Sequence, residues 1–597
     1  MITRYTFPPV RVWPCLLLAL IMPLGLAAKE RPPNVVLILI DDLSYFSWPA
    51  YGAKTVSSGQ GHFKDVPVEM PNIDRLAEEG VRFNQAYVHP ICEPTRVALM
   101  TGMHNGRNFL APKAVHESQI TFSDVFKKAG YATGMYGKWK QTRGTPSVPG
   151  NEYISQFGWD DYLCFDVTND AKGWRRYLDP TLFKNGEQLH YTKDDLDPLT
   201  GRRYYGPDLC NRAALQFIDD HKDEPFFLYY PMILVHDEHT PTPDTVPASL
   251  YDDFDTKTKL EKWLLAGDDR TYFPDMLKYM DKMIGNIINK LDEDGLLDDT
   301  LIIVMGDNGG KEVFEYTMDD GTVFGGGKGH NRFHGEQIPL IFTMPGVIPQ
   351  SSEGGMREYD GLFDGTDIYP TLMEACGIEL PNAGKIDGVS AWQQIIGKED
   401  AGHRDVIYKW ANGNSRYDDL DTQVEFAHNA EFKRYAPHDK YPRGRFFDLR
   451  TDPYEHAGEK GRKVSWDNHF HSGLDLDSLT PEQQAAFDML GEVLEENAYV
   501  PVEALQIQGD KTARVGHETH LHCRVIPANA MRNNVIWESS DPAIATVDKF
   551  GVLTPHAPGE VEINVYSWED AEPLSNNGTV EYRRDGIKDI LAVNIVK

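Results

Sequence analysis

Asn34-Val35-Val36-Leu37-Ile38-Leu39-Ile40, followed by Asp41-Asp42, is the stretch on which the reading of the chain turns. An unbroken apolar run rich in β-branched residues is the pattern of a strand buried on both faces of a parallel sheet. Open α/β sheets bind their ligands beyond the carboxyl ends of such strands, so the two adjacent carboxylates are the first candidates for chemistry.

The same grammar recurs downstream. Met276, Met280, Met283, Ile287 and Leu291 fall at helical spacing between Pro274 and Leu291, then Leu301 to Met305 forms another apolar strand that ends at Asp307-Asn308-Gly309. Glu224-Pro225 introduces a third strand, Phe226 to Tyr230, which runs on toward His236. The pattern predicts an α/β domain over residues 29–390 with a large sheet flanked by helices. A smaller α+β portion over 391–499 is marked by Phe446-Phe447-Asp448-Leu449 and by a helix through Ala485 to Glu496, with Thr480 as N-cap, Pro481 at its first position and Gln483 three residues after the cap. From about residue 500 to 597 short alternating strands such as Asn534-Val535-Ile536-Trp537 and Gly551-Val552-Leu553-Thr554 predict an all-β sandwich.

Composition narrows the function. With 59 basic and 91 acidic side chains among 597 residues the formal net charge is −32, which repels nucleic acid and leaves any polyanion to be held by a local basic pocket. Arg4 and Arg11 precede the apolar stretch Cys15 to Leu26, and Ala27-Ala28 offers small residues for cleavage, so residues 1–28 read as a removable signal peptide and the mature chain as periplasmic or secreted. The stretch is short of the roughly 20 apolar residues a membrane span needs, and no second one follows, so no span is expected after its removal. Cysteines are too few for a disulfide framework; Cys164 and Cys210 either pair or stay as buried thiols.

Cys92 opens the run Cys92-Glu93-Pro94-Thr95-Arg96, and Val97 to Gly102 continues it as a helix entered through a proline and ended at a glycine. A nucleophile at that place faces free backbone N–H groups and the positive end of a helix dipole, which suits a sulfate or phosphate ester. Asp41, Asp42, Asp307 and Asn308 offer oxygen ligands only, a set that selects a hard cation over zinc. An alcohol leaving group needs a proton, and His236 is the candidate general acid, with His239 competing for the place.

The CxPxR pattern with the following Thr101-Gly102, in company with Asp41-Asp42, Gly137-Lys138-Trp139, a histidine after the Phe226 strand, Asp307-Asn308-Gly309 and Gly327-Lys328-Gly329, resembles the formylglycine-dependent type I sulfatases of the alkaline phosphatase superfamily over residues 33 to 455. The resemblance implies a mixed sheet flanked by helices, one Ca2+ ion held by Asp41, Asp42, Cys92, Asp307 and Asn308, and oxidation of Cys92 to formylglycine by a dedicated maturase. It further implies that Arg96 bonds the formylglycine hydroxyl and that Lys138 and Lys328 grip sulfate oxygens. A hydrated aldehyde spares water an attack on a hindered sulfur, since one hydroxyl attacks and the other, on losing its proton, expels sulfate. The chain departs from the family at Lys140, where a histidine is common; Lys140, with His239, either meets the substrate or points to solvent. Trp537-Glu538-Ser539-Ser540-Asp541 and Ala545-Thr546-Val547-Asp548 resemble the bacterial Ig-like domain appended to exported proteins.

The expected activity is hydrolysis of sulfate esters of a sulfated carbohydrate. A formylglycine-dependent phosphodiester or phosphonate hydrolase and a non-catalytic polyanion-binding protein are the alternatives.

Overall fold

The computed structural model describes residues 31–597 apart from 60, 109–114, 143–149, 166–174, 255–268, 353, 382–385, 413–422, 439–440, 464–468, 574–579 and 583–585. The expected signal peptide lies outside the described residues.

Asn34–Ile40 is a strand with every residue buried, and it occupies the middle of a 10-stranded sheet. The sheet runs in the order Arg357–Tyr359, Val81–Phe83, Leu340–Thr343, Thr300–Gly306, Asn34–Ile40, Phe226–Pro231, Ala132–Lys138, Asp161–Phe165, Thr181–Lys184 and Glu187–His190. The central strand pairs in parallel with both neighbours, Val35 lying opposite Phe227 on one side and Leu301 on the other. Antiparallel pairs toward both edges make the sheet mixed.

The alternation of side chains explains why the run is apolar throughout. Val36, Ile38 and Ile40 belong to one core with the helices Gly206–His221 and Phe273–Glu293, while Val35, Leu37 and Leu39 belong to the opposite core with the helices Cys92–Thr101, Phe122–Lys128 and Ile368–Ala375. Each such buried side chain contributes roughly 1.5–3 kcal/mol, so both faces enforce the strand's register. The expected helix over 274–291 is present as Phe273–Glu293.

Beyond the sheet, Ile407–Asn412, Gln423–His428, Phe432–Tyr435 and Arg445–Asp448 form a four-stranded antiparallel sheet. The helix Pro481–Glu496 lays Phe487, Leu490 and Leu494 on Tyr408, Phe432 and Phe446. Its start is the expected capping box: Gln483 N–H donates to Thr480 Oγ1 (3.2 Å) and Thr480 N–H to Gln483 Oε1 (3.0 Å).

The last hundred residues are all-β, with Leu505, Val525, Leu553, Ile563, Val565 and Val593 inside. This part belongs to the same compact unit, Pro33–Lys597, and is tied to the large sheet's helical layer. Lys549 Nζ donates to Asp124 Oδ2 (2.7 Å), Gln156 O (2.8 Å) and Gln119 O (3.1 Å), and the fully buried Trp568 donates its indole N–H to Ser118 Oγ (3.0 Å). Cys164 and Cys210 are both buried with no disulfide between them, which decides the open alternative in favour of thiols. Among the described residues no helix is long and apolar enough to cross a membrane.

Candidate active site

The parallel strands deliver their ends to one place. Asp41 and Asp42 follow the central strand, Asp307 and Asn308 its neighbour Thr300–Gly306, and backbone bonds lace them together: Asp307 N–H donates to Ile40 O (3.0 Å) and Asp42 N–H to Asp307 Oδ1 (3.0 Å). Asp42 takes a φ of +61°, the left-handed region that aspartate enters more readily than most side chains. Oxygens of Asp41, Asp42 and Asp307 thereby come within 4.8 Å of one another.

Carboxylates so close repel unless cations intervene. Lys138 Nζ donates to both oxygens of Asp41 (2.6 and 2.8 Å), Arg96 donates to Asp307 Oδ2 through Nη2 (2.8 Å) and Nε (3.1 Å), and Lys328 Nζ donates to Asp42 Oδ1. Gly137 makes the placement of Lys138 possible: at φ +139° any Cβ would stand 1.9 Å from Pro231 O. Burial alone would raise the Asp41 carboxyl, but Lys138 above all, with His236 and Arg96, holds it well below the carboxylate range. Burial and the adjacent Asp41 push Asp307 the other way, up to about 7.

Two acceptors stand out. Asp42 Oδ2 and Asn308 Oδ1 are buried and accept no hydrogen bond among the described residues. An unmet buried acceptor costs about 1–3 kcal/mol, so two of them beside three clustered carboxylates fit a cation with hard oxygen ligands.

Cys92 is the first residue of the helix Cys92–Thr101, with Ile91 as N-cap, and is buried. Its Sγ, a carboxylate oxygen of Asp41 and a ring nitrogen of His236 lie within 4.8 Å of one another. Burial, then Glu93, pushes the Cys92 thiol above its ordinary range, which makes the thiol itself a poor nucleophile.

The two competing histidines separate in space. His236 Nδ1 lies 3.1 Å from Arg176 Nη1 and 2.5 Å from Asp237 Oδ1, leaving Nε2 to face Asp42 Oδ2 at 3.8 Å. Burial, then Lys328, lowers its pKa to about 4. His239 instead packs edge-on against Phe273 and Phe314, at 5.4 and 5.2 Å between ring centroids. Lys140 does not point to solvent: its Nζ pairs with Glu93 Oε1 at 2.9 Å, and Glu93 Oε2 accepts from Cys92 Sγ at 3.1 Å.

Sequence reasoning had not singled out Glu93, Arg176, Asp237 or Lys311. Glu93 stands inside the motif itself, and Asp237 adjoins His236, so proximity was an available signal for both. Arg176 and Lys311, which pairs with Asp237 Oδ2 at 2.5 Å, reach the site only through the fold.

The family model described as Sulfatase matches residues 33–378. The chain belongs to the sulfatase family. A second, Bacterial Ig-like domain (group 2), matches residues 502–572. A sulfatase of Formosa agariphila is 27% identical over 60% of this chain and 72% of its own length. Among solved structures, one from a study of the metabolism of multiple glycosaminoglycans by Bacteroides thetaiotaomicron covers 78% of this chain and 99% of its own, with 23% identity and a TM-score of 0.54. The structure of Ps i-CgsB in complex with k-i-k-neocarrahexaose covers 78% and 92%, with 22% identity and a TM-score of 0.55. At those identities the likeness is one of fold. As a family member this sulfatase is a sulfuric ester hydrolase.

Proposed function

We propose that this sulfatase is exported and hydrolyses sulfate esters of a sulfated carbohydrate, with Cys92 matured to formylglycine and Ca2+ as its metal. The observation that carries the reading is the place of Cys92, at a helix N-terminus and within 4.8 Å of Asp41 and His236. The carbohydrate class is supported by the two structural neighbours, one from glycosaminoglycan metabolism and one solved with a neocarrahexaose.

Asp41, Asp42, Asp307, Asn308 and the residue at 92 would hold the ion, which supplies charge to offset sulfate oxygens and to acidify a hydroxyl. Cys92, once matured, would supply a hydrated aldehyde, with one hydroxyl for attack at sulfur and a second whose proton loss would let sulfate go. Arg96, fixed by Asp307 and by Lys138 O (3.0 Å), orients the group at 92. Lys138 and Lys328 stabilise the negative charge that gathers on the sulfate oxygens as the ester bond breaks. His236 presents Nε2 to the leaving oxygen and gives it a proton, the negative charge of the bound sulfate offsetting Lys328 and favouring the charged ring, while its other nitrogen is tied to Arg176 and Asp237. One water is consumed, and an alcohol and sulfate leave.

The test is sulfate release across defined sulfated mono- and oligosaccharides, with phosphate esters in competition, by protein produced alongside a formylglycine-generating enzyme. Mass spectrometry should find the aldehyde at position 92, and Cys92→Ala should release no sulfate. Turnover of phosphate esters in preference to every sulfate ester would overturn the reading.

A further inference from the structure

Lys128 ends the short helix that leads into the strand Ala132–Lys138, so it stands at the opposite end of that strand from Lys138. A seven-residue strand spans roughly 20 Å, which sets the surroundings of Lys128 apart from the centre at Cys92. A groove of about 640 Å³ opens there between the catalytic helices and the Ig-like strands. Ile120, Val125 and Ile378 line it from the catalytic side, Trp537 and Phe550 from the Ig-like side.

One turn fixes the Ig-like wall. Asp548 Oδ1 accepts the backbone N–H groups of Phe550 (2.9 Å) and Val552 (2.8 Å), and Gly551 takes a φ of +79°, where any Cβ would stand 2.5 Å from Leu521 O. The turn seats Phe550 against the core of the catalytic portion. Trp537 packs on the Ig-like core yet stays partly exposed along the groove, and its indole N–H meets no acceptor among the described residues. Leu521 is buried between His520 and His522, which turns both imidazoles outward along the groove, and neither ring is hydrogen-bonded among the described residues.

Charge does not dominate the lining. Lys549 is saturated by Asp124, Gln119 and Gln156, which leaves Lys128 and Glu379, one of each sign and neither in an ion pair among the described residues. Lys128 Nζ lies 4.1 Å from the centre of the Phe550 ring, a cation–π contact that positions the ammonium without cancelling its charge. In a chain of net charge −32 such local balance spares an anionic polymer the repulsion it meets elsewhere. Aromatic and aliphatic surface with unshared imidazole, indole, ammonium and carboxylate groups around it matches a sugar, whose ring faces are apolar and whose hydroxyls both donate and accept. The volume falls within the roughly 300–1,000 Å³ usual for small-molecule sites, room for a short stretch of sugar units.

We propose that this groove binds sugar units of the polysaccharide whose sulfate esters the catalytic centre cleaves, through ring faces and hydroxyls rather than through sulfate. Trp537 is its stacking surface, and His520 and His522 bond the hydroxyls. The inference rests on the carbohydrate reading above and adds a second hold on the same chain.

The experiment measures binding of the full chain carrying Cys92→Ala to carrageenan, heparin, chondroitin sulfate and fucan, each intact and chemically desulfated, by affinity electrophoresis and calorimetry. A desulfated chain lacks the ester that the catalytic centre recognises, so its binding reports the groove. At least one desulfated chain should be retained, with an affinity that changes less than about threefold between about 0.05 and 0.5 M salt, since no ionic contact is being screened. Trp537→Ala should weaken that binding roughly tenfold or more, and the double variant His520→Ala with His522→Ala about threefold to tenfold. The two histidines are exposed, so the double variant keeps the test decisive where loss of Trp537 also loosens the Ig-like core. Sulfate release from an aryl monosulfate by the matured enzyme should be parental in both, because neither change touches the centre at Cys92. Retention of no desulfated chain, or binding that both variants leave unaltered, would overturn the groove as a sugar site. If the groove binds a desulfated chain while no sulfated saccharide is hydrolysed, the carbohydrate reading of the catalytic centre falls and the sugar site stands. If saccharide sulfates are released and the variants bind as the parent does, the sugar site alone falls.

Discussion

Asp42 and Asp367 are both buried aspartates, and in both, cations pull the carboxyl down against burial, Lys328 in one case and Arg404 in the other. Their surroundings differ in completeness. Asp367 Oδ2 accepts from Asp364 N–H (2.8 Å), His403 Nε2 (3.0 Å) and Arg404 Nε (3.0 Å), and its Oδ1 from Val389 N–H (2.7 Å) and Arg404 Nη2. Asp42 gathers Asn308 Nδ2 (2.9 Å) and Lys328 on Oδ1 and leaves Oδ2 with no donor among the described residues. In this pair the charge that only holds the fold is saturated, whereas the one at the candidate site leaves an acceptor open. The direction of a pKa shift does not distinguish the two, but the inventory of donors does.

The contrast breaks most visibly at Asp367. Asp367→Ala strands the buried Arg404 guanidinium, and losing one partner of such a pair costs about 3–5 kcal/mol. Urea unfolding should show that loss whether or not calcium is present. Asp42→Asn should behave oppositely: nearly parental stability in chelator, and sulfate release reduced by about 10²–10³-fold, the scale of losing an electrostatic contact in a transition state. Added calcium should raise the melting temperature of the parent, by a stabilisation of about 2.7 kcal/mol at a hundredfold excess over its dissociation constant, and should leave Asp42→Asn unmoved. If Asp42→Asn unfolds as readily as Asp367→Ala, the two carboxylates are alike and the contrast is wrong.

Sequence alone carried the central strand, the helix at Cys92, the Thr480 cap and the acidic strand ends, because each is written in local periodicity or in a contiguous motif. Short strands near one edge, Val81–Phe83 and Arg357–Tyr359, have too few residues for a period to register. The choice between His236 and His239 was open for a different reason: both follow the same strand, and only the packing of Phe273 and Phe314 draws one of them away from the carboxylates. Arg176 shares no local signal with His236, the residue it touches, so no reading of either segment alone could join them. Asp367 was equally invisible, since a saturated carboxylate needs partners from several distant segments.

Lys549 extends the comparison to a charge that is saturated across the seam between the Ig-like strands and the catalytic helices. Its bonds to Asp124, Gln119 and Gln156 serve attachment, so Lys549→Ala should cost about 1.5–3 kcal/mol, the worth of a charge-assisted hydrogen bond. Activity per folded molecule should be parental, because Asp124 keeps its capping bonds to Thr121 N–H (2.9 Å) and Thr121 Oγ1 (2.8 Å). A change in KM with undiminished stability would assign the Ig-like strands a part in catalysis that this contrast denies them.

The smallest effect should come from Lys140, whose charge lies between the two types. It pairs with Glu93, and Glu93 in turn touches the Cys92 sulfur, so Lys140 acts on the surroundings of Cys92 through a neighbour rather than directly. Without the ammonium, Glu93 would present its carboxylate with one cation fewer beside an incoming sulfate, and two anions in a buried site repel. Lys140→Met should therefore raise KM about tenfold, equivalent to 1.4 kcal/mol, with a smaller change in kcat. Removing the opposing charge as well, in Glu93→Gln with Lys140→Met, should return KM toward the parent, since the repulsion needs the carboxylate. A double variant no better than Lys140→Met would mean that Lys140 grips the substrate itself, and that its charge, like the free oxygen of Asp42, is held open for chemistry.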